Sequence, residues 1–112
     1  MATYSNLFID QGSDFSFTLN LESAIGSLDL TNYTGRGQIK RNYTASTAVD
    51  FAITVNPADG SLIVNLTAEQ TRAMKATRYV YDIEIVSNDV PARVIRVLEG
   101  QLEVTPAVTA SL

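Results

Sequence analysis

Asp82 and Glu84 stand two residues apart in RYVYDIEI, residues 78–85, and form the one pair of side chains here with material for catalysis. Two carboxyl groups flanking a bond are the machinery of glycoside hydrolysis. Side chains alternate along a strand, so these two share a face, and Tyr79, Tyr81, Ile83 and Ile85 share the other. A charged stripe opposite an apolar one is also the ordinary solvated face of an antiparallel sheet, and that reading is preferred. The chain has no His to act as a base near neutral pH and no Cys to act as a nucleophile. No nucleophile elbow or activating partner accompanies its Ser and Thr hydroxyls. We therefore expect a protein that is not an enzyme and has no small-molecule substrate.

The remaining chemical motifs are weaker. DQGSD, residues 10–14, offers Asp10 and Asp14 to calcium but does not match an EF-hand loop, and it reads first as a turn. GRG at 35–37 is too short to cradle a phosphate and lacks the Lys and helix that would follow. NYT at 32–34, NYT at 42–44 and NLT at 65–67 match the glycosylation acceptor pattern. The N-terminus MATYSNLFID lacks a basic segment followed by an apolar stretch, so no secretory signal is expected and the three matches are read as chance. Without thiolate or imidazole ligands, ordinary zinc, copper, haem and iron–sulfur sites fall away. No metal and no cofactor are expected.

Charge sets further bounds. Eight Lys and Arg against twelve Asp and Glu give a net charge of −4, and the bases are scattered. Nucleic-acid binders concentrate positive charge, so no nucleic-acid partner is expected. No apolar run reaches the roughly 18 residues that span a bilayer, so no membrane partner is expected either. Among the five tyrosines, Tyr79 and Tyr81 read as core, whereas Tyr4 and Tyr43 are candidate interface residues. Tyrosine suits that role because it offers rigid contact area and a polar tip.

The elements that must position these residues are mostly strands. DFSFTLNLE, 14–22, alternates strictly between apolar and polar, the clearest strand signal in the chain. Further strands are expected at 4–10, 35–41, 49–55, 61–66 and 78–87, with a brief edge segment at 28–33. Gly37 inside its strand marks a bulge or a close backbone approach. NPADG, 56–60, is the turn of a hairpin. ARVIRVLEGQLEVTP, 92–106, is one long strand or two joined at Gly100. Val94, Leu98, Leu102 and Val104 lie on one face, and Ile95 and Val97 on the other. A shift of facing near Arg96, made by a bulge, reconciles the two sets.

One segment breaks the pattern. TAEQTRAMKA, 67–76, reads as a short helix with Thr67 as its cap and Gln70 completing a capping box. Too short to stand alone, it must pack on the sheets through Ala68, Thr71 and either Met74 or the stem of Lys75. A chain of 112 residues with 46% hydrophobic and 18% charged residues suits one folded domain spanning 1–112. The expected fold is all-β: an antiparallel sandwich of immunoglobulin-like architecture, with about seven strands and one short helix near 67–76. A small barrel is the alternative.

The order of segments carries a resemblance. FIDQGSDFSFTL and DLTNYTGRGQIKR are followed by DGSLIVNLTAEQT, RYVYDIEI and RVLEGQLEVTPAVT, together covering most of the chain. In this order the sequence resembles small β-sandwich virion proteins of tailed bacteriophages. It is also similar to the N-terminal sandwich domain of siphophage upper baseplate proteins. The resemblance implies a non-enzymatic structural protein of the virion, made in the bacterial host cytoplasm, whose partners are other virion proteins in an oligomeric or symmetric assembly. It carries no catalytic residue across. Only three residues follow TPAVT, which favours a small accessory piece of head, neck, tail or baseplate over a receptor-binding protein. The means of contact would be strand edges, Tyr4 and Tyr43, and the terminal arms MATYSN and AVTASL, the latter with Val108 and Leu112. The alternative is a carbohydrate-binding module for host attachment, although Trp, the usual platform, is absent.

Overall fold

A computed structural model describes residues 3–21, 30–57 and 60–107. Its strands are β1 (Thr3–Tyr4), β2 (Leu7–Asp10), β3 (Phe15–Asn20), β4 (Tyr33–Lys40), β5 (Val49–Asp50), β6 (Ala52–Asn56), β7 (Ser61–Leu66), β8 (Arg78–Ser87) and β9 (Val94–Thr105). The helix α1 spans Ala68–Ala73. The strands form two open sheets: six strands in the order β1-β9-β8-β4-β5, with β2 also on β9, and three in the order β3-β7-β6. Ile39, Ile83, Ile85 and Leu102 of the larger sheet join Leu62, Val64 and Leu66 of the smaller one in a single buried cluster. Among the described residues no helix is long and apolar enough to cross a membrane.

The larger sheet is mixed, which corrects the purely antiparallel expectation. β1 and β2 run parallel to β9, pairing Tyr4 with Glu99 and Phe8 with Glu103. The other pairings are antiparallel. The expected strand 4–10 is also broken at Ser5 and Asn6. The reason lies in Gly100. A Cβ there would collide with the Ser5 carbonyl oxygen and come within 2.8 Å of its carbon. The absence of a side chain lets the N-terminal strand crimp inward at that point. Two hydrogen bonds hold the crimp: Ser5 N–H donates to the Glu99 carbonyl at 2.8 Å, and the Tyr81 hydroxyl donates to the Ser5 carbonyl at 2.6 Å.

Residues 49–55 also serve two sheets. β5 pairs with β4, the chain turns at Phe51, and β6 pairs with β7. Phe51 N–H still donates to the Gly37 carbonyl at 3.0 Å, so the crossing point stays fastened to β4. Here Ile53 lies so close to Gly35 that any side chain on that residue would strike it. Close approach, read from Gly37, therefore extends along the whole glycine stretch of β4.

β9 is one strand, with its facing shift where the apolar pattern conflicts. Ile83 pairs with Leu98 but Glu84 pairs with Arg96, leaving Val97 as the extra residue of a bulge. Val97 and Leu98 are consequently both buried, while Arg96 points out. Val94 departs from the expectation: it is 50% exposed and leaves the inward set to Ile95. Of the brief edge segment at 28–33, residues 28 and 29 lie outside the described residues. Leu30 is buried without belonging to a strand, and Tyr33 already begins β4.

The helix starts as its sequence dictates and ends early. Thr67 is the cap, and both halves of the capping box with Gln70 are formed. Asp14 adds a third contact by accepting from Ala68 N–H at 2.7 Å. Thr71 and Met74 are buried, as helix packing requires. Past Ala73 the backbone turns extended. The Met74 carbonyl accepts from Gln11 Nε2 at 2.8 Å and the Lys75 carbonyl from the Tyr79 hydroxyl at 2.7 Å.

Burial of Tyr81 has a measurable consequence. Removal from water pushes its phenol up from 10.0 to about 12, with nearby Tyr4 and Glu99 acting in the same direction. A raised acid binds its proton more tightly in the folded state, so its contribution is fully present below pH 10.0 and is lost as pH rises toward about 12. Denaturant titrations should show stability falling across that window by roughly 2–3 kcal/mol, two pKa units at about 1.4 kcal/mol each. Tyr81→Phe should start lower at neutral pH, by about 1 kcal/mol for the lost hydrogen bond, and lack this component of the alkaline fall. An equal alkaline slope in both proteins would show that another group causes it.

Candidate functional site

The outward face of the six-stranded sheet gathers most of the residues that drew attention in the sequence. On β4 the outward positions are Thr34, Arg36, Gln38 and Lys40, and on β8 they include Val80, Asp82 and Glu84. Strand register aligns them into rows. Tyr4, Glu99, Asp82, Gln38 and Asp50 form one row across five strands. At about 4.8 Å between strands, such a row is roughly 19 Å long. Beside it run Arg96, Glu84 and Arg36 on one flank, and Lys40, Val80 and Gln101 on the other.

Asp82 and Glu84 therefore do share the solvent-facing side of β8, each tied to an arginine. Arg36 Nε donates to Glu84 Oε1 at 2.8 Å. Arg96 Nε lies 3.4 Å from Asp82 Oδ2, and its Nη1 lies 3.8 Å from Glu99 Oε1. Partial burial raises the Asp82 carboxyl above its usual range, Arg96 opposes the rise, and Glu84 and Glu99 reinforce it. A half-open depression lined by Gly35, Gly37, Asp50, Phe51, Asp82 and Glu84 runs beside the pair. Asp82 and Glu84 sit in an ion-pair lattice, with no histidine in the chain to share proton transfer. Exposed pairs of this kind add little stability, so the lattice mainly sets the polarity of the face.

The DQGSD loop is a turn whose carboxylates have structural employment. Asp10 Oδ1 accepts from the Thr105 hydroxyl at 2.9 Å, and Asp14 caps α1. Gly12 takes φ +83°, and its N–H donates to the Thr71 hydroxyl at 3.0 Å. Among the described residues no group of three or more acidic side chains is placed to hold a metal ion.

The tyrosines separate as their environments require. Tyr79 and Tyr81 are buried, and Phe51 meets Tyr81 edge-on with ring centres 6.2 Å apart. Tyr4 and Tyr43 are 62% and 79% exposed. Tyr4 stands on the edge strand and Tyr43 at the far side of the same face, in the loop after β4. Val108 and Leu112, the other two candidate contacts, lie outside the described residues.

One exposed aromatic was not singled out by the sequence reading. Phe8, 67% exposed, projects outward from β2 beside Glu103 and Arg78. The signal was present in YSNLFID: with Leu7 and Ile9 inward, Phe8 had to face out. Among the described residues no strand pairs with β1 or β2 on the side away from β9. The sheet thus ends in an open edge carrying two exposed aromatic rings.

These features define the class as an all-β domain of two open sheets with a polar outer face and an aromatic free edge. No family model matches the chain, and no curated protein matches it. Among solved structures it is similar to an internalin-like protein of Listeria monocytogenes, at 18% identity with a TM-score of 0.49. That similarity covers 95% of this chain, which spans 28% of the Listeria protein's length.

Proposed function

We propose that this chain is a non-enzymatic virion protein of a tailed bacteriophage, an accessory component of tail, baseplate, neck or head that works through protein–protein contacts. The phage reading rests on the order of its sequence motifs. The observation that supports a contact role is the N-terminal edge, where Tyr4 and Phe8 face solvent and no strand among the described residues pairs on the outer side. An exposed edge offers a neighbouring chain a surface, and although this one is short and carries Asp10, its outward positions Tyr4 and Phe8 are aromatic.

In this proposal the two sheets have immunoglobulin-like topology. The strand order supports it, with the first strand beside the last in one sheet and β3-β7-β6 in the other. So does Tyr79 at the start of β8, whose hydroxyl donates to a carbonyl four residues upstream, the arrangement known as a tyrosine corner. Tyr81, two residues on, occupies the position where antibody domains place a disulfide cysteine. Nuclear Overhauser contacts between Phe8 and Glu103 should be present; contacts from β2 to β3 in their place would overturn this topology.

The function is tested by quantitative mass spectrometry of purified particles of the encoding phage, calibrated on the major capsid protein. Copies on the order of hundreds per particle mean head decoration, and a few to roughly a few dozen mean neck, tail or baseplate. Absence from the particle overturns the proposal. Phe8→Lys should lower incorporation sharply while shifting stability by less than about 0.5 kcal/mol, since the residue is exposed. Normal incorporation of that variant would remove the edge from the account.

A further inference from the structure

A second surface feature points to a ligand of another class. Beside Tyr43 the outer face sinks into a depression whose lining includes Gln38, Lys40, Val80, Asp82 and Arg96. We propose that this depression binds a neutral oligosaccharide, with Tyr43 as the stacking platform.

Three features of the lining support it. Tyr43 is 79% exposed yet lines the depression, so one face of its ring is available to the apolar face of a sugar. Val80 adds an apolar side chain to the lining. Around it the polar groups alternate in hydrogen-bonding sense: Lys40 and Arg96 donate, Asp82 and Glu99 accept, and Gln38 does both. Adjacent hydroxyls on a sugar ring need such mixed partners, one donor and one acceptor at close spacing.

Charge selects the ligand. Over this depression and the one adjoining it, Lys40, Arg96 and Arg36 face Asp82, Glu99, Asp50 and Glu84, so the surface is near balance with a slight acidic excess and offers no attraction to an anion. The Arg96 contacts, at 3.4 and 3.8 Å, are longer than a good charge-assisted hydrogen bond, leaving those groups free to take up hydroxyls at little cost. Length follows from the neighbouring depression toward Glu84, which shares Gln38 and Asp82 with the first. The two form one track across the sheet, which suits a chain of sugars better than a single ring.

Sugar binding and incorporation into a particle are separable by experiment, since Phe8 and its neighbours Glu103 and Arg78 do not line the depression at Tyr43. The test is a printed array of neutral and anionic oligosaccharides, probed with the full chain. Retention of one or more neutral glycans is expected, weakened at least about tenfold by Tyr43→Ala and by Gln38→Ala but little by Tyr43→Phe. Both positions are exposed, so the variants fold. Retention of no glycan, retention of anionic glycans alone, or retention unaffected by Tyr43→Ala would each overturn the proposal.

Discussion

Gly100→Ala is expected to be the most damaging single-atom change in the protein. The added methyl meets backbone, the Ser5 carbonyl, and backbone cannot swing aside as the end of a side chain can. Residue 5 must move outward. That breaks the Ser5 bond to Glu99 and the Tyr81 bond to Ser5, and it separates β1 from the sheet. Two hydrogen bonds at about 1 kcal/mol each and overpacking of about 1–3 kcal/mol sum to roughly 3–5 kcal/mol. The midpoint of thermal unfolding should fall by roughly 10–20 °C. Hydrogen exchange locates the damage: the amides of Ser5 and Gln11, which bond to Glu99 and Thr105, should lose protection before those of β8. Wild-type protection at Ser5 in the variant would show that the crimp is not held by this contact.

Ile83→Ala is expected to come next, by a different mechanism. Ile83 is fully buried at the middle of β8, opposite Gly37 on one side and Leu98 on the other. Glycine at 37 contributes no side chain to fill the space that shortening would open. The bulge at Val97 fixes the register on the other flank, so β9 cannot slide to close the void. Loss of the larger side chain should cost about 2–5 kcal/mol, toward the upper end because collapse is restricted. Chemical denaturation measures it, with an unchanged m-value confirming that the cost is a cavity in an otherwise intact fold. A loss below about 1 kcal/mol would mean that the two sheets repack freely around this position.

Much of this architecture was legible where the determinants are local. The alternation in DFSFTLNLE made β3 plain, and Thr67 with Gln70 located the start of α1. Even the bulge in β9 was written as a conflict between two apolar sets around Arg96. What stayed hidden depends on distant partners. The break at Ser5 is set by Gly100, and the early end of α1 coincides with Gln11 claiming the Met74 carbonyl. The change of sheet at Phe51 leaves no mark, because VDFAITV alternates smoothly while its hydrogen-bonding partner changes. The polar face was illegible for the same reason. Tyr4, Glu99, Asp82, Gln38 and Asp50 come from five strands, and only register brings them into one row.

The parallel pairing of the first and last strands also determines how the domain answers to force. Thr3 lies level with Leu98 and Asp10 with Thr105, so the start of β1 and the end of β9 sit at opposite ends of their shared seam. Tension applied between those ends runs along the seam and loads its hydrogen bonds together in shear. An antiparallel pair pulled from adjacent ends would open one bond at a time, like a zipper. Failure under load is governed by the unfolding barrier rather than by equilibrium stability. The crimp at Ser5, locked by Tyr81 beneath it, acts as a detent against sliding. In a domain built this way, a pull between those ends is resisted by the whole seam at once.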